Sequence, residues 1–126
     1  MGTKFTLDNG ASNGTSNLSG LLSTEQRAQI EDLRPAQFIE AFGVGDTSCY
    51  EPEKGYTDPE WYWRSDDGCV WGIGWRGGWI RLRGRGNKQK TESGLFWTHP
   101  TAEEAGEFIQ FVLESLKNNY VPPTLN

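Results

Sequence analysis

Residues 60–85 read EWYWRSDDGCVWGIGWRGGWIRLRGR, and the fold turns on them. Aromatic and β-branched residues are interrupted twice by turn formers, Asp66-Asp67-Gly68 and Gly77-Gly78, as in three strands joined by two tight hairpins. If Gly77-Gly78 is a two-residue turn, Arg76 opposes Trp79, Trp75 opposes Ile80, Ile73 opposes Leu82 and Trp71 opposes Gly84. Side chains alternate along a strand, so one face carries Cys69, Trp71, Ile73, Trp75, Ile80 and Leu82. The other carries Gly72, Gly74, Arg76, Trp79, Arg81, Arg83 and Arg85. An apolar side and a basic side separate cleanly.

The first hairpin admits two registers. A three-residue Asp66-Asp67-Gly68 loop places Trp61 and Trp63 on the apolar face and Tyr62 and Arg64 on the basic one, whereas a two-residue Asp67-Gly68 turn exchanges them. The longer loop is favoured, because it pools the indoles beneath the helices and leaves Arg64 in water.

Upstream, Ser23-Thr-Glu-Gln26 fits a capping box, and Ile30 and Leu33 share one side of the helix it opens. That helix should stop at Arg34, since a proline disfavours helical geometry in the residue before it. Pro35 suits the first turn of a second short helix carrying Phe38, Ile39 and Phe42, with Gly43 as its stop. Downstream, a polar loop leads to Pro100, and Thr101-Ala-Glu-Glu104 opens a helix over 102–118 on which Ala105, Phe108, Ile109, Val112 and Leu116 recur at helical spacing. The expectation is an α+β domain: two short N-terminal helices, a three-stranded antiparallel meander, and a C-terminal helix packed on the sheet. Residues 1–22 are read as a flexible arm, because 8–20 hold almost only small, polar and turn-forming types; 23–120 form one domain and 121–126 a tail after Pro122-Pro123. Residues 44–59 show neither strand nor helix period and are read as a loop.

Charge singles out the same strands. Residues 60–90 hold seven basic and three acidic side chains, a net of +4, while the rest hold five basic and fourteen acidic, a net of −9. Arginine dominates, and its planar fork suits phosphate, carboxylate and aromatic faces. Gly72 and Gly74 would leave a shallow floor between the arginines for a flat or extended ligand. The candidate ligand-binding residues are therefore Arg64, Arg76, Trp79, Arg81, Arg83 and Arg85, with Lys88 and Lys90 in the adjoining loop. The leading expectation is a non-enzymatic binding module that holds a polyanion, single-stranded nucleic acid foremost, through phosphate contacts and base stacking. The alternative is a protein–protein module, an inhibitor or adaptor, using the same face as a hot spot for an acidic partner. Against both stands a solvated strand face whose arginines pair with the chain's own carboxylates.

Other chemistry finds little footing. Gly72-Ile-Gly-Trp-Arg-Gly77 has the spacing of a dinucleotide fingerprint, but a strand follows it where a helix N-terminus must receive the pyrophosphate. His99 is the single histidine, and Cys49 and Cys69 are too few and too separated for a zinc site or a disulfide framework. No catalytic group, cofactor or metal is expected. Glu103, Glu104 and Glu107 are read as favourable charges at a helix N-terminus. No signal sequence or membrane-length apolar run is present, so the expected location is cytoplasmic. The sequons at Asn13 and Asn17 then stay unmodified, and the match of Gly2 to a myristoylation pattern lacks the basic patch that stable anchoring needs. The order helix–helix–strand–strand–strand–helix resembles that of double-stranded RNA-binding domains with an added first helix. Those domains place lysines where this chain has Glu103 and Glu104, so the likeness stops at the order of elements.

Overall fold

The computed structural model describes residues 4–8, 16–46 and 59–119. Gly2, Asn13, Cys49, the greater part of the 44–59 loop and the C-terminal tail lie outside the described residues. The three expected strands are β3 (Glu60–Ser65), β4 (Val70–Arg76) and β5 (Trp79–Arg85). The β4–β5 pairs are those the two-residue turn requires, Arg76 with Trp79 through Trp71 with Gly84, and Gly77 and Gly78 both take positive φ. In the first hairpin Trp63 opposes Trp71, and the Ser65 N–H donates to the Cys69 carbonyl, so 66–68 form the three-residue loop with Gly68 at φ 89°. Trp61 and Trp63 accordingly face the core.

The sheet is wider than a meander. Strands β1 (Phe5–Leu7) and β2 (Ser16–Asn17), in a stretch read as a flexible arm, pair antiparallel with β3 and β5, giving five strands in the order β1-β3-β4-β5-β2. Two apolar anchors overcome the polar composition around them. Phe5 inserts among Trp71, Phe108 and Phe111, and Leu18, only 1% exposed, sits over Gly84. Composition averaged over 8–20 hides a single anchoring leucine. A second difference lies after β5: the segment read as a polar loop holds β6 (Lys88–Thr91) and β7 (Gly94–Trp97), a separate two-stranded sheet.

Helices α1 (Thr24–Glu31), α2 (Pro35–Phe42) and α3 (Ala102–Asn119) cover one face of the five-stranded sheet. Both capping boxes form: Gln26 N–H donates to Ser23 Oγ at 3.1 Å, and Glu104 N–H to Thr101 Oγ1 at 3.1 Å. Arg34 is extended before Pro35, and Gly43 closes α2 at φ 82°. The core is largely aromatic: Phe108 stacks on Trp71 at 5.3 Å, while Phe38 lies 5.3 Å from Trp61 and 5.0 Å from Trp75. Such pairs add about 0.5–1.5 kcal/mol each beyond the area they bury. The Trp61 indole N–H donates to the Gly43 carbonyl and that of Trp71 to Ser65 Oγ, so these two indoles bury without losing a hydrogen bond. Among the described residues no helix is long and apolar enough to cross a membrane.

Candidate functional site

The face of the sheet away from the helices carries the arginines, but its centre is closed. Tyr62 and Val70 are 1% and 0% exposed. A Cβ at Gly72 would come within 2.7 Å of the Tyr62 ring, and one at Gly74 would collide with the Glu60 side chain. The glycine floor expected to lie open to a ligand is therefore occupied by the chain's own β3 side chains. Tyr62 Oη donates to Glu60 Oε2, and that same carboxylate oxygen lies 3.7 Å from the Arg83 guanidinium on β5. One carboxylate thus joins β3 to β5 across the glycines of β4.

The candidate cations are dispersed by these contacts. Arg64 Nε donates to Asp8 Oδ2 at 2.6 Å, just beyond β1. Arg85 places its guanidinium carbon 3.8 Å from the Trp97 ring centroid. Burial, with a smaller contribution from the nearby Arg64 charge, lowers the Arg85 pKa from its ordinary value. Arg81 is half-buried beside Gly74, and the side chain of Arg76 lies outside what is described. Trp79 stands 79% exposed at the β4–β5 turn, on the rim of a groove of about 680 Å³ shared with Ile80, Leu22, Ile30, Arg27 and Arg34. Lys88 and Lys90 are exposed, on the hairpin rather than in a loop.

That hairpin brings forward residues the sequence reading passed over. Leu95, Phe96 and Trp97 are 58%, 51% and 47% exposed, three consecutive apolar side chains that stand outside the core cluster of the described residues. Lys88 opposes Trp97 and Lys90 opposes Leu95, so one face combines two ammonium groups with an indole and a leucine; Gln89 and Phe96 form the other. The base is clamped. Thr98 N–H and Oγ1 both donate to the Asn87 carbonyl, and Gly86 lies so near the Thr98 carbonyl that a Cβ there would collide with it. The signal available in the sequence was Gly94-Leu-Phe-Trp97 itself, an apolar run inside a polar stretch.

A second cluster lies at the other end of Asn87, where the β3–β4 loop meets α3. Donor atoms of Asp67, Cys69 and Glu104 lie within 4.8 Å of one another. Hydrogen bonds account for the arrangement: Asp67 accepts from Ser65 Oγ and the Cys69 N–H, and the Cys69 thiol donates to Glu104 Oε2 at 3.7 Å. Burial, reinforced by the adjacent Asp67 charge, pushes the Cys69 thiol up to about 12. Burial alone would raise Asp67, but the bonds from Ser65 and Cys69 outweigh it and hold that carboxyl below its ordinary value. The cluster ties the first hairpin to α3 with a neutral thiol. His99 is exposed ahead of the buried Pro100, and Glu103 and Glu104 lie in the first turn of α3.

Compared with protein-family models, curated proteins and solved structures, the chain matches none.

Proposed function

We propose that this chain is a non-enzymatic protein–protein interaction module whose contact surface is the β6–β7 hairpin. The exposure of Leu95, Phe96 and Trp97 beside Lys88 and Lys90 carries this reading. Interface centres are enriched in aromatic residues and ringed by polar ones, and an indole that can be desolvated by a partner is a strong anchor. Exposed apolar side chains scattered singly need no explanation, but three in succession on one strand do.

A polyanion site on the arginine strands draws less support. Such a site needs a row of guanidinium groups facing solvent, with room for bases to stack. Here Arg64 and Arg83 face Asp8 and Glu60, Arg85 faces an indole, and the intervening floor is filled by Tyr62 and Glu60.

The test is capture from an extract of the cell of origin, with and without nuclease treatment, comparing wild type with a Phe96→Ser/Trp97→Ser pair and an Arg81→Ala/Arg83→Ala pair. Retention of a protein by wild type and by the arginine pair, with loss in the hairpin pair, is the expected result. Capture that depends on the arginines and disappears with nuclease would return the site to nucleic acid.

A further inference from the structure

The two edges of the hairpin are not equivalent. Thr91 and Gly94 close the two-residue Glu92-Ser93 turn, and Asn87 pairs with Thr98 through the Thr98 N–H at 2.8 Å. In an antiparallel pair hydrogen-bonded and non-hydrogen-bonded positions alternate, so Lys88/Trp97 and Lys90/Leu95 are the non-bonded pairs. Their backbone N–H and C=O groups point away from the hairpin, to its outer edges. Among the described residues no third strand pairs with either edge. The β6 edge is guarded by Lys88 and Lys90, the usual protection against unwanted pairing. The β7 edge carries Gly94, Leu95, Phe96 and Trp97, without a charge, a proline or a bulge.

We infer that the β7 edge accepts an extended segment of a protein partner as a third strand, with apolar residues set against Leu95 and Trp97 and carboxylates reaching Lys88 and Lys90. This rests on the hairpin's being a protein-docking surface and specifies how it docks. Strand addition supplies affinity through main-chain hydrogen bonds and selectivity through alternate side chains. Leu95 and Trp97 project to the face that also holds Lys88 and Lys90, so residues of the incoming strand directed to this face meet apolar surface first and positive charge beyond it. Residues 85–97 carry Arg85, Lys88 and Lys90 against Glu92 alone, which favours an acidic occupant over a basic one. A two-stranded hairpin is marginally stable in water, and a third strand stabilises it.

The experiment selects binders from a displayed library of random peptides of about ten residues on the full chain, then measures the enriched peptides against three variants. Leu95→Pro removes one outward N–H and leaves the β6–β7 ladder intact, because that N–H is not used within the hairpin. Leu95→Ala controls for the lost side chain, and Trp97→Ala removes the anchor. Amide exchange across 88–97 establishes that each variant keeps the hairpin. The expected result is enrichment of sequences alternating apolar with acidic residues, about tenfold weaker binding by Leu95→Pro and less than about threefold by Leu95→Ala. Equal losses for the proline and alanine variants would overturn strand addition while leaving side-chain docking at the hairpin in place. No enriched peptide, or peptides indifferent to Trp97→Ala, would also overturn it; dependence of the captured protein on Phe96 and Trp97 then decides the broader reading separately.

Discussion

Arg85 is the last residue of β5 and Trp97 the last of β7, and the guanidinium of one lies 3.8 Å from the ring centroid of the other. Eleven residues of chain lie between them, and the contact holds the hairpin against the end of β5. Lys88 adds a second cation over the same ring, at 5.3 Å. Arg85→Met, which keeps the apolar stem, should remove about 0.5–1 kcal/mol of this anchoring. Amide exchange should quicken at 88–97 and stay unchanged in β3–β5. Unchanged exchange in the hairpin would show that its base alone holds it.

The base itself is sterically tight. A Cβ at Gly86 collides with the Thr98 carbonyl oxygen, a backbone atom that cannot swing aside. Gly86→Ala should therefore destabilise the protein by about 1–3 kcal/mol in urea unfolding, the usual range for an overpacked site. An alanine variant as stable as wild type would mean that the hairpin shifts freely on the sheet.

The six tryptophans divide sharply. Trp61, Trp63, Trp71 and Trp75 are buried, whereas Trp79 and Trp97 are not. Trp71→Ala, which deletes the stack on Phe108, should cost about 3–5 kcal/mol, a large part of the stability of a small domain. Trp79→Ala should change stability by no more than about 0.5 kcal/mol. Comparable urea midpoints for the two variants would contradict the assigned layers.

Alkaline pH should act through Cys69. Burial raises this thiol from 9.0 to about 12, so the folded state holds its proton more tightly than the unfolded chain does. Below about pH 9 both states are protonated and the contribution is fully present. Between about pH 9 and 12 the unfolded thiol ionises first, and stability falls as pH rises. Comparing urea midpoints on either side of about pH 9 should show a steeper decline for wild type than for Cys69→Ala. Parallel declines would show that other groups govern the alkaline limb.

How much of this was legible in the sequence follows from what each segment encodes locally. The registers of β3–β5 could be read because turn chemistry at 66–68 and 77–78 fixes which residues oppose, and alternation does the rest. Capping boxes at Ser23 and Thr101 and the proline at 35 marked three helix starts. β1 and β2 were not legible, because three- and two-residue strands carry no period and are held by partners distant in the sequence. β6–β7 was missed because Glu92-Ser93 is not a strong hairpin dipeptide and β6 reads as polar throughout. The candidate site followed the same division. Alternation placed the arginines on one face, but whether that face is open depends on where Asp8, Glu60 and Tyr62 lie, which is decided by tertiary pairing.

The most direct test of the hairpin as the contact surface is site-specific photo-crosslinking in the native extract, with benzoylphenylalanine in place of Phe96 in one sample and of Arg81 in the other. Phe96 lies on the exposed hairpin, and Arg81 lies half-buried on the arginine strand. Protein adducts from position 96 and none from position 81 are the predicted result. Adducts from position 81 alone, or nucleic acid in the cross-linked product, would contradict the account.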